Sequence, residues 1–204
     1  PDAFTDEAPQ HKLFLPEYLI GRHPVTVFQY TAFMNAVGNI SWAGSDVRGK
    51  GNHPVTQVTW ENALAFCRWA SQQTGRNVRL PSEAEWEKAA RGTDRRIYPW
   101  GNQTPDNNLC NFNRSLRGTT PVGRYSPAGD SPYGCADMAG NVWEWVADWY
   151  GEDYYHRSPE SNPQGPSSGK YRVLRGGAWG NDGYYLRSAY RVRLNPVSLN
   201  YFLG

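Results

Sequence analysis

Gly140–Trp145, with the sequence Gly-Asn-Val-Trp-Glu-Trp, is the segment of this chain that says most about its fold. Successive side chains of an extended segment point to opposite sides, so Trp143 and Trp145 face one way while Val142 and Glu144 face the other. The two indole rings can therefore enter a hydrophobic core, where aromatic side chains each bury a large area. The Glu144 carboxylate is then left on the opposite side.

Three other segments of the chain accompany this one in a specific order. They are Arg79–Glu87 (Arg-Leu-Pro-Ser-Glu-Ala-Glu-Trp-Glu), Tyr98–Asn102 (Tyr-Pro-Trp-Gly-Asn) and Arg175–Trp179 (Arg-Gly-Gly-Ala-Trp). Together the four segments resemble the formylglycine-generating (sulfatase-modifying factor) family, and the resemblance covers residues 11–204. It implies an α+β fold of the C-type-lectin-like kind, with two to three helices and short twisted antiparallel strands. We therefore expect a single domain over residues 1–204.

Local patterns predict helices only in the first half of the chain. The predicted helices lie between Thr26 and Gly38, between Thr59 and Gly75, and between Ser82 and Gly92. The first two carry apolar stripes at helical spacing, and the third begins with a capping box formed by Ser82 and Glu85. The apolar run His11–Ile20 predicts two short strands around Pro16, and Ser158–Lys170 predicts a surface loop. Beyond Arg95 we expect only short strands and ordered loops.

Composition argues against several classes of function. Lys and Arg total 21 against 19 Asp and Glu, and no run of five basic residues occurs, so we expect no nucleic-acid partner. No apolar stretch approaches the roughly 20 residues that span a bilayer, so we expect no membrane association. Cys67, Cys110 and Cys135 lack a paired spacing, which argues against a disulfide framework and favours a reducing, cytoplasmic location. We expect a monomer.

The enzymes of the resembled family do not fit this sequence. Their oxidase branch is expected to hold copper with two thiolates just after the Arg-Gly-Gly segment, and soft Cu(I) prefers sulfur ligands. Here Gly180–Tyr190 contains no cysteine. A further branch uses iron bound by histidines of a separate helical domain, whereas His11, His23, His53 and His156 are scattered. We therefore expect no copper and no enzymatic activity, and an enzyme of the formylglycine-generating type is the least favoured hypothesis.

The side of the Gly140–Trp145 segment that carries Glu144 predicts a structural calcium site. Calcium prefers six to eight oxygen ligands and often mixes carboxylates with main-chain carbonyls. The residues that match one calcium site of the resembled family are Asp137, Gly140, Val142 and Glu144. The alternative is that Glu144 pairs with an arginine. A second family site would use Asn111 and the Phe112 carbonyl, although the loop that supplies its other ligands is shortened here.

The stretch Gly180–Gly204 differs most from typical relatives, because aromatic and aliphatic residues interrupt a persisting framework. In variable proteins of diversity-generating retroelements, which belong to the non-catalytic branch of the resembled family, such positions form the ligand-binding face. The residues predicted to form it here are Trp179, Gly180, Asn181, Tyr184, Tyr185, Tyr190, Val192, Leu194, Val197, Ser198, Asn200, Tyr201 and Phe202. Tyrosine is common in binding sites because it offers a large, rigid, amphipathic surface. We expect at least three of the five Tyr and Phe residues to be exposed together, the alternative being that they pack into the core.

Three hypotheses of function follow from these features. The first is a non-catalytic module that binds a protein or small-molecule ligand, in its most specific form a retroelement variable protein. The second is an accessory domain of a bacterial kinase or signalling protein, and the third is the enzyme set aside above.

Overall fold

A computed structural model describes residues 4–38, 42, 44, 48–200 and 202–204. Its helices are α1 (Val27–Val37), α2 (Trp60–Thr74) and α3 (Glu83–Arg91), and its strands are β1 (Glu144–Trp149), β2 (Arg172–Arg175) and β3 (Arg191–Leu194). Short 3₁₀ turns occupy Thr5–Glu7, Tyr154–His156 and Gly183–Leu186. The three α-helices lie where the sequence predicts them.

The helix boundaries follow from local capping. The Ser82 hydroxyl accepts a hydrogen bond from the Glu85 main-chain nitrogen, and the Glu85 carboxylate accepts one from Ser82 in return, which confirms the predicted capping box. Thr26 forms a second capping box with Gln29 at the start of α1. Gly38 ends that helix with φ of 73°, a left-handed conformation that a residue with a Cβ adopts at a cost.

The sheet is antiparallel, in the order β1-β2-β3, and helices cover both of its faces. On one face Trp145 and Leu174 join a hydrophobic cluster with residues of α1 and α2. On the other face Val146 and Val173 pack with residues of α3. Trp143 belongs to the first cluster together with Trp145, so both indole rings enter the core as predicted. The fold is therefore α+β, as expected.

The prediction of two strands in His11–Ile20 is wrong. Only Phe14 forms a bridge, a parallel one with Ser161, and the rest of the segment has no regular secondary structure. The Phe14 nitrogen donates to the Glu160 carbonyl (2.7 Å) and the Phe14 carbonyl accepts from Asn162 (2.8 Å). Pro16 lacks an N–H and cannot extend the pairing, so the apolar run forms no ladder. The segment Ser158–Lys170 is a largely exposed loop, as predicted.

The last residues of the chain are held inside the fold. The Trp143 nitrogen donates to the Phe202 carbonyl (2.7 Å), and the Gly204 nitrogen donates to the Trp143 carbonyl (2.9 Å). On the other side the Leu203 carbonyl accepts from Gln57 (2.9 Å), while the Leu203 side chain is buried in the core. The segment 195–200 is thus fixed at one end by β3 and at the other by this terminal bridge.

No helix in the part of the chain that the structure describes is long and apolar enough to cross a membrane.

Candidate functional site

A concave site of about 380 Å³ opens beside β2 and β3, and we call it the C-terminal pocket. Most of the residues predicted for the ligand-binding face line it: Gly180, Asn181, Tyr185, Tyr190, Val192, Leu194, Asn200 and Phe202. Its volume lies within the range of about 300–1,000 Å³ that is usual for ligand sites. The structure therefore brings these positions together around one concavity.

Other predicted residues of the face lie outside the pocket lining. Trp179 packs its ring against Phe202, with centroids 4.9 Å apart. Tyr184 turns toward the N-terminal segment, where its ring meets Phe4 at 5.2 Å. Val197 is 68% exposed but does not line the pocket, and neither does Ser198. The remaining predicted residue, Tyr201, lies outside the described residues.

The expected exposed aromatic patch is not what the structure shows. Tyr184, Tyr185, Tyr190 and Phe202 are all partly buried. The Tyr185 and Tyr190 rings meet edge to face with centroids 5.1 Å apart, and Tyr184 approaches each of them at about 6 Å. Because each ring shields its neighbours, the three rings form a partly buried cluster rather than an exposed patch.

Sequence reasoning missed five lining residues that come from elsewhere in the chain or from the framework: Arg114, Trp143, Leu174, Arg193 and Leu203. Trp143 was predicted as core, and it is both buried and part of the pocket, since its ring lies 6.0 Å from that of Tyr190. No local sequence pattern marks Arg114 as a site residue. It lies in a distant loop that reaches the pocket because the Arg114 main-chain nitrogen donates to the Trp179 carbonyl (2.8 Å).

The pocket is aromatic and aliphatic with a positive rim. No carboxylate appears among the described residues that line it. The exposed Arg114 side chain makes no ion pair or hydrogen bond with any other residue of the described ranges. Arg193 instead lies over the Tyr150 ring, 4.7 Å from its centroid. A ligand in the pocket would thus meet apolar walls, amide groups and one guanidinium that is free to pair with an anion.

A buried charge cluster supports the loop that carries the pocket wall. Arg175, with no exposed side-chain surface, donates to Glu83 (3.1 Å), to Glu87 (2.6 Å) and to the carbonyls of Ser188 and Ala189. Two of these acceptors are main-chain oxygens of the segment between Tyr185 and Tyr190, so the guanidinium ties that segment to α3. Buried charges are stable only when paired and hydrogen-bonded in this way.

Gly177 allows the same loop to turn closely over the core. Its φ is 75°, and a Cβ at this position would lie 2.5 Å from the Leu186 side chain and 3.0 Å from the Tyr185 carbonyl. The Arg-Gly-Gly segment therefore places the loop where only glycine fits.

The three cysteines are buried and lie outside the lining of the C-terminal pocket, and burial makes their thiols unreactive. Cys67 lies in α2, and Cys110 and Cys135 lie in two different hydrophobic clusters. Burial raises the pKa of Cys67 to about 11 and that of Cys110 to about 12. Burial also raises the pKa of Cys135. Thiols with raised pKa values are poor nucleophiles and poor metal ligands, because the thiolate is the reactive form.

The predicted calcium ligands lie at one turn leading into β1. Asp137 Oδ2 accepts from the Gly123 nitrogen (2.6 Å), and Glu144 Oε2 accepts from Trp86 Nε1 (2.9 Å). No described arginine or lysine pairs with Glu144, so the alternative of an arginine partner is not observed. Burial, with a smaller contribution from the negative charge of Asp137, raises the pKa of Glu144 to about 7. The Gly140 carbonyl accepts from the Val142 nitrogen (2.9 Å).

This donor set suits calcium better than a transition metal. Over the described ranges, no three His, Cys, Asp or Glu side chains converge on one point, so main-chain carbonyls must complete any metal site. The carboxylates of Asp137 and Glu144, combined with carbonyl oxygens, are hard donors of the kind that calcium prefers. Asn111, which would serve the second site, has a buried Oδ1 without a hydrogen-bond partner in the described structure.

Comparison with known proteins places the chain in a family. Residues 2–204 match the sulfatase-modifying factor enzyme 1-like domain. The chain is 39% identical to the serine/threonine-protein kinase pkn1 of Chlamydia caviae, over 98% of this chain and 34% of the kinase. It is 33% identical to the formylglycine-generating enzyme of Thermomonospora curvata, over 88% of this chain and 77% of the enzyme. Among solved structures, Treponema denticola variable protein 1 superposes with a TM-score of 0.78 at 29% identity, covering 94% of this chain and 84% of that protein.

These matches show that the chain is an α+β domain with the C-type-lectin-like fold. Within that class, the chain belongs to the sulfatase-modifying factor enzyme 1-like family, as the sequence resemblance implies. The family includes enzymes as well as non-catalytic members. The chain spans about a third of the length of the chlamydial kinase that it matches.

Proposed function

We propose that this chain is a non-catalytic ligand-binding module whose binding site is the C-terminal pocket. One observation carries the proposal: eight of the predicted residues between Gly180 and Phe202 line a single aromatic concavity with no thiol or carboxylate in its described lining. Such a lining can recognise apolar groups and an anion, but it offers none of the thiol, imidazole or carboxylate groups that often serve as nucleophile or general base. The partner is a protein or small-molecule ligand, and the module acts as a monomer in the cytoplasm.

In its most specific form the module is the variable protein of a diversity-generating retroelement. The similarity to Treponema denticola variable protein 1 supports this form, because it extends over most of both chains. Flanking DNA provides the test. A near-copy of the 3′ coding region that differs at adenines, beside a reverse-transcriptase gene, is the expected finding, and a complete genomic context without either would refute this form.

A second candidate function is an accessory domain of a kinase. The observation that favours it is the 39% identity with the Chlamydia caviae kinase, which covers nearly all of this chain. Sequencing the full gene separates the two candidates, since a kinase domain in the same reading frame is expected only for the second.

Ligand binding in the C-terminal pocket can be tested by filling it. Val192→Trp adds an indole to the lining, while Val197→Trp adds one to an exposed position of the same stretch outside the pocket. We expect fluorinated aromatic carboxylic acids to bind the wild-type protein and the Val197→Trp control in ¹⁹F NMR titrations, and to bind Val192→Trp at least about tenfold more weakly. Equal binding to all three proteins would remove the pocket as the site.

The absence of catalysis has its own test. Incubation with a cysteine-containing sulfatase peptide, copper and oxygen should leave the peptide mass unchanged. Appearance of the aldehyde product in the mass spectrum would show that the module is an enzyme.

Structural calcium is part of the same proposal, with Asp137, Gly140, Val142 and Glu144 as its ligands. The ion would neutralise two neighbouring carboxylates and hold the turn before β1 in place. We expect millimolar calcium to raise the melting temperature by several degrees over that in EGTA, because an ion that binds only the folded state stabilises it. Glu144→Gln should lose most of this response, and the exposed control Glu152→Gln should keep it. Superimposable melting curves with and without calcium would reject the site.

A further inference from the structure

A second cleft, of about 860 Å³, lies between the N-terminal segment, α3 and the loop that follows β1, and we call it the N-terminal cleft. It shares no described lining residue with the C-terminal pocket. Leu13, Leu15 and Ile97 form part of its apolar wall, and Tyr155, from the 3₁₀ turn Tyr154–His156, lines another side. No part of the proposed ligand recognition uses this cleft.

The acidic residues of the cleft are already neutralised. Glu7 receives two hydrogen bonds from Arg187 (2.6 and 2.7 Å), and Glu83 pairs with Arg191 (2.6 Å) as well as with Arg175. Glu87 pairs with both Arg91 and Arg175. The remaining acid, Asp148, is buried and accepts a hydrogen bond from the Glu83 main-chain nitrogen (2.8 Å).

Three basic side chains of the cleft, in contrast, have no anionic partner in the described structure: Lys12, Lys88 and Arg95. Lys88 makes only a distant contact with the Tyr18 ring, 6.0 Å from its centroid. Arg96 is neutralised by Asp94, in contact at 2.6 Å. The uncompensated charge of the cleft is therefore positive, and it is spread over both of its sides, since Lys12 belongs to the N-terminal segment and Arg95 to the turn after α3.

The N-terminal segment also offers unused main-chain groups at this cleft. Both main-chain groups of Phe14, its N–H and its carbonyl, form hydrogen bonds with the 160–162 segment. In an extended chain, successive residues direct their main-chain groups to opposite sides. The main-chain groups of Leu13 and Leu15 consequently point away from that segment, and they form no hydrogen bond with any described residue. An unpaired edge of this kind is a template for an added strand.

We propose that the N-terminal cleft binds an extended, acidic peptide segment, which pairs with the main chain at Leu13 and Leu15 and places carboxylates near Lys12, Lys88 and Arg95. A peptide fits better than nucleic acid, because part of the wall is apolar and the free cations are too few for a phosphate backbone. Main-chain pairing supplies affinity, and the charges select an acidic sequence over a neutral or basic one.

The test uses a fluorescein-labelled peptide of alternating glutamate and valine and measures its anisotropy with the whole chain. We expect saturable binding that weakens at least about tenfold in the double variant Lys88→Glu, Arg95→Glu, since charge reversal turns attraction into repulsion. Arg76→Glu, an exposed charge reversal after α2 and away from the cleft, should change affinity less than about twofold. Val192→Trp should have no effect, which keeps this test independent of the proposed function.

Two modified peptides test the recognition itself. Methylation of alternate peptide nitrogens on one edge should abolish binding, and replacement of glutamate by lysine should do the same. Equal binding of the lysine peptide, or an affinity that the double variant leaves unchanged, would overturn the proposal. So would tighter binding of a single-stranded oligonucleotide of equal charge, or concentration-dependent dimerisation that the double variant prevents, because either would assign the cleft to a different occupant.

Discussion

Arg172 shows how single side chains hold this loop-rich domain together. Its guanidinium lies between two indole rings, 3.5 Å from the centroid of Trp60 and 3.4 Å from that of Trp149. Nη1 donates to the Ala147 carbonyl at 2.6 Å. The planar, weakly hydrated guanidinium suits this position because it can stack on both rings at once, which a compact ammonium cannot.

We predict that Arg172→Met destabilises the protein by about 2 kcal/mol, since two cation–π contacts are lost while much of the apolar volume is retained. Urea unfolding followed by tryptophan fluorescence measures the change. Arg68→Met, at an exposed position of α2, should stay within about 0.5 kcal/mol of the wild-type value. Equal effects of the two substitutions would show that the stacking contributes nothing.

The sequence predicts where a side chain points better than which partner it contacts. The alternation in Gly140–Trp145 correctly sends Trp143 and Trp145 into the core. It cannot show that Glu144 meets Trp86, because that hydrogen bond joins residues 58 positions apart. The proposed calcium ligands are all close in sequence, which is why a local pattern could suggest them.

The α-helices were predictable because each carries its own boundary signals. Thr26, Thr59 and Ser82 each accept a hydrogen bond from the main-chain nitrogen three residues on, and glycine ends every α-helix. Strands lack such signals, since they depend on a partner that is distant in sequence. His11–Ile20 has a strand-like composition, yet it forms only a single bridge, at Phe14.

The capping box of Ser82 and Glu85 stabilises the start of α3. Ser82→Ala removes the acceptor for the Glu85 nitrogen and should destabilise the protein by about 1 kcal/mol. Thermal unfolding by circular dichroism measures this loss, with Ser168→Ala in the exposed loop as the control. Identical melting temperatures for wild type and Ser82→Ala would show that α3 does not rely on its cap.

Both concave sites are assembled from segments that lie far apart in the chain. The C-terminal pocket joins Arg114, Trp143 and Leu174 to the last 25 or so residues, and long-range contacts of this kind leave no local pattern. The sequence therefore identified most of the lining residues of that stretch, but not these three. The buried cluster around Arg175 was not predicted either, since its partners belong to α3 and to main-chain carbonyls.

The raised pKa of Asp148 makes the stability of the folded domain depend on pH. Burial, with a further contribution from the charge of Glu83, raises its pKa from the usual 3.8 to about 7. Between about pH 4 and pH 7 the Asp148 carboxyl is therefore protonated in the folded state and ionised in the unfolded state. The free energy of unfolding consequently falls as the pH rises from about 4 toward 7.

We predict that Asp148→Asn gains stability relative to wild type across this range, by on the order of 3 kcal/mol between pH 4 and pH 7.5. Asparagine can still accept the hydrogen bond from Glu83, so the geometry is preserved. Urea unfolding at several pH values measures the difference. A constant offset between the two proteins would mean that Asp148 titrates normally.

The bridge that fixes the end of the chain has a practical consequence. Residues 202–204 are hydrogen-bonded beside Trp143, β3 is paired within the sheet, and the Pro196 carbonyl accepts from the Trp60 nitrogen (3.0 Å). The stretch between Pro196 and Asn200 is therefore attached to the fold on both sides. Doubling the length of a flexible loop costs only about 0.6 kcal/mol in closure entropy. A foreign recognition sequence grafted between Pro196 and Asn200 should thus leave the scaffold folded, which makes this domain a candidate framework for engineered affinity reagents.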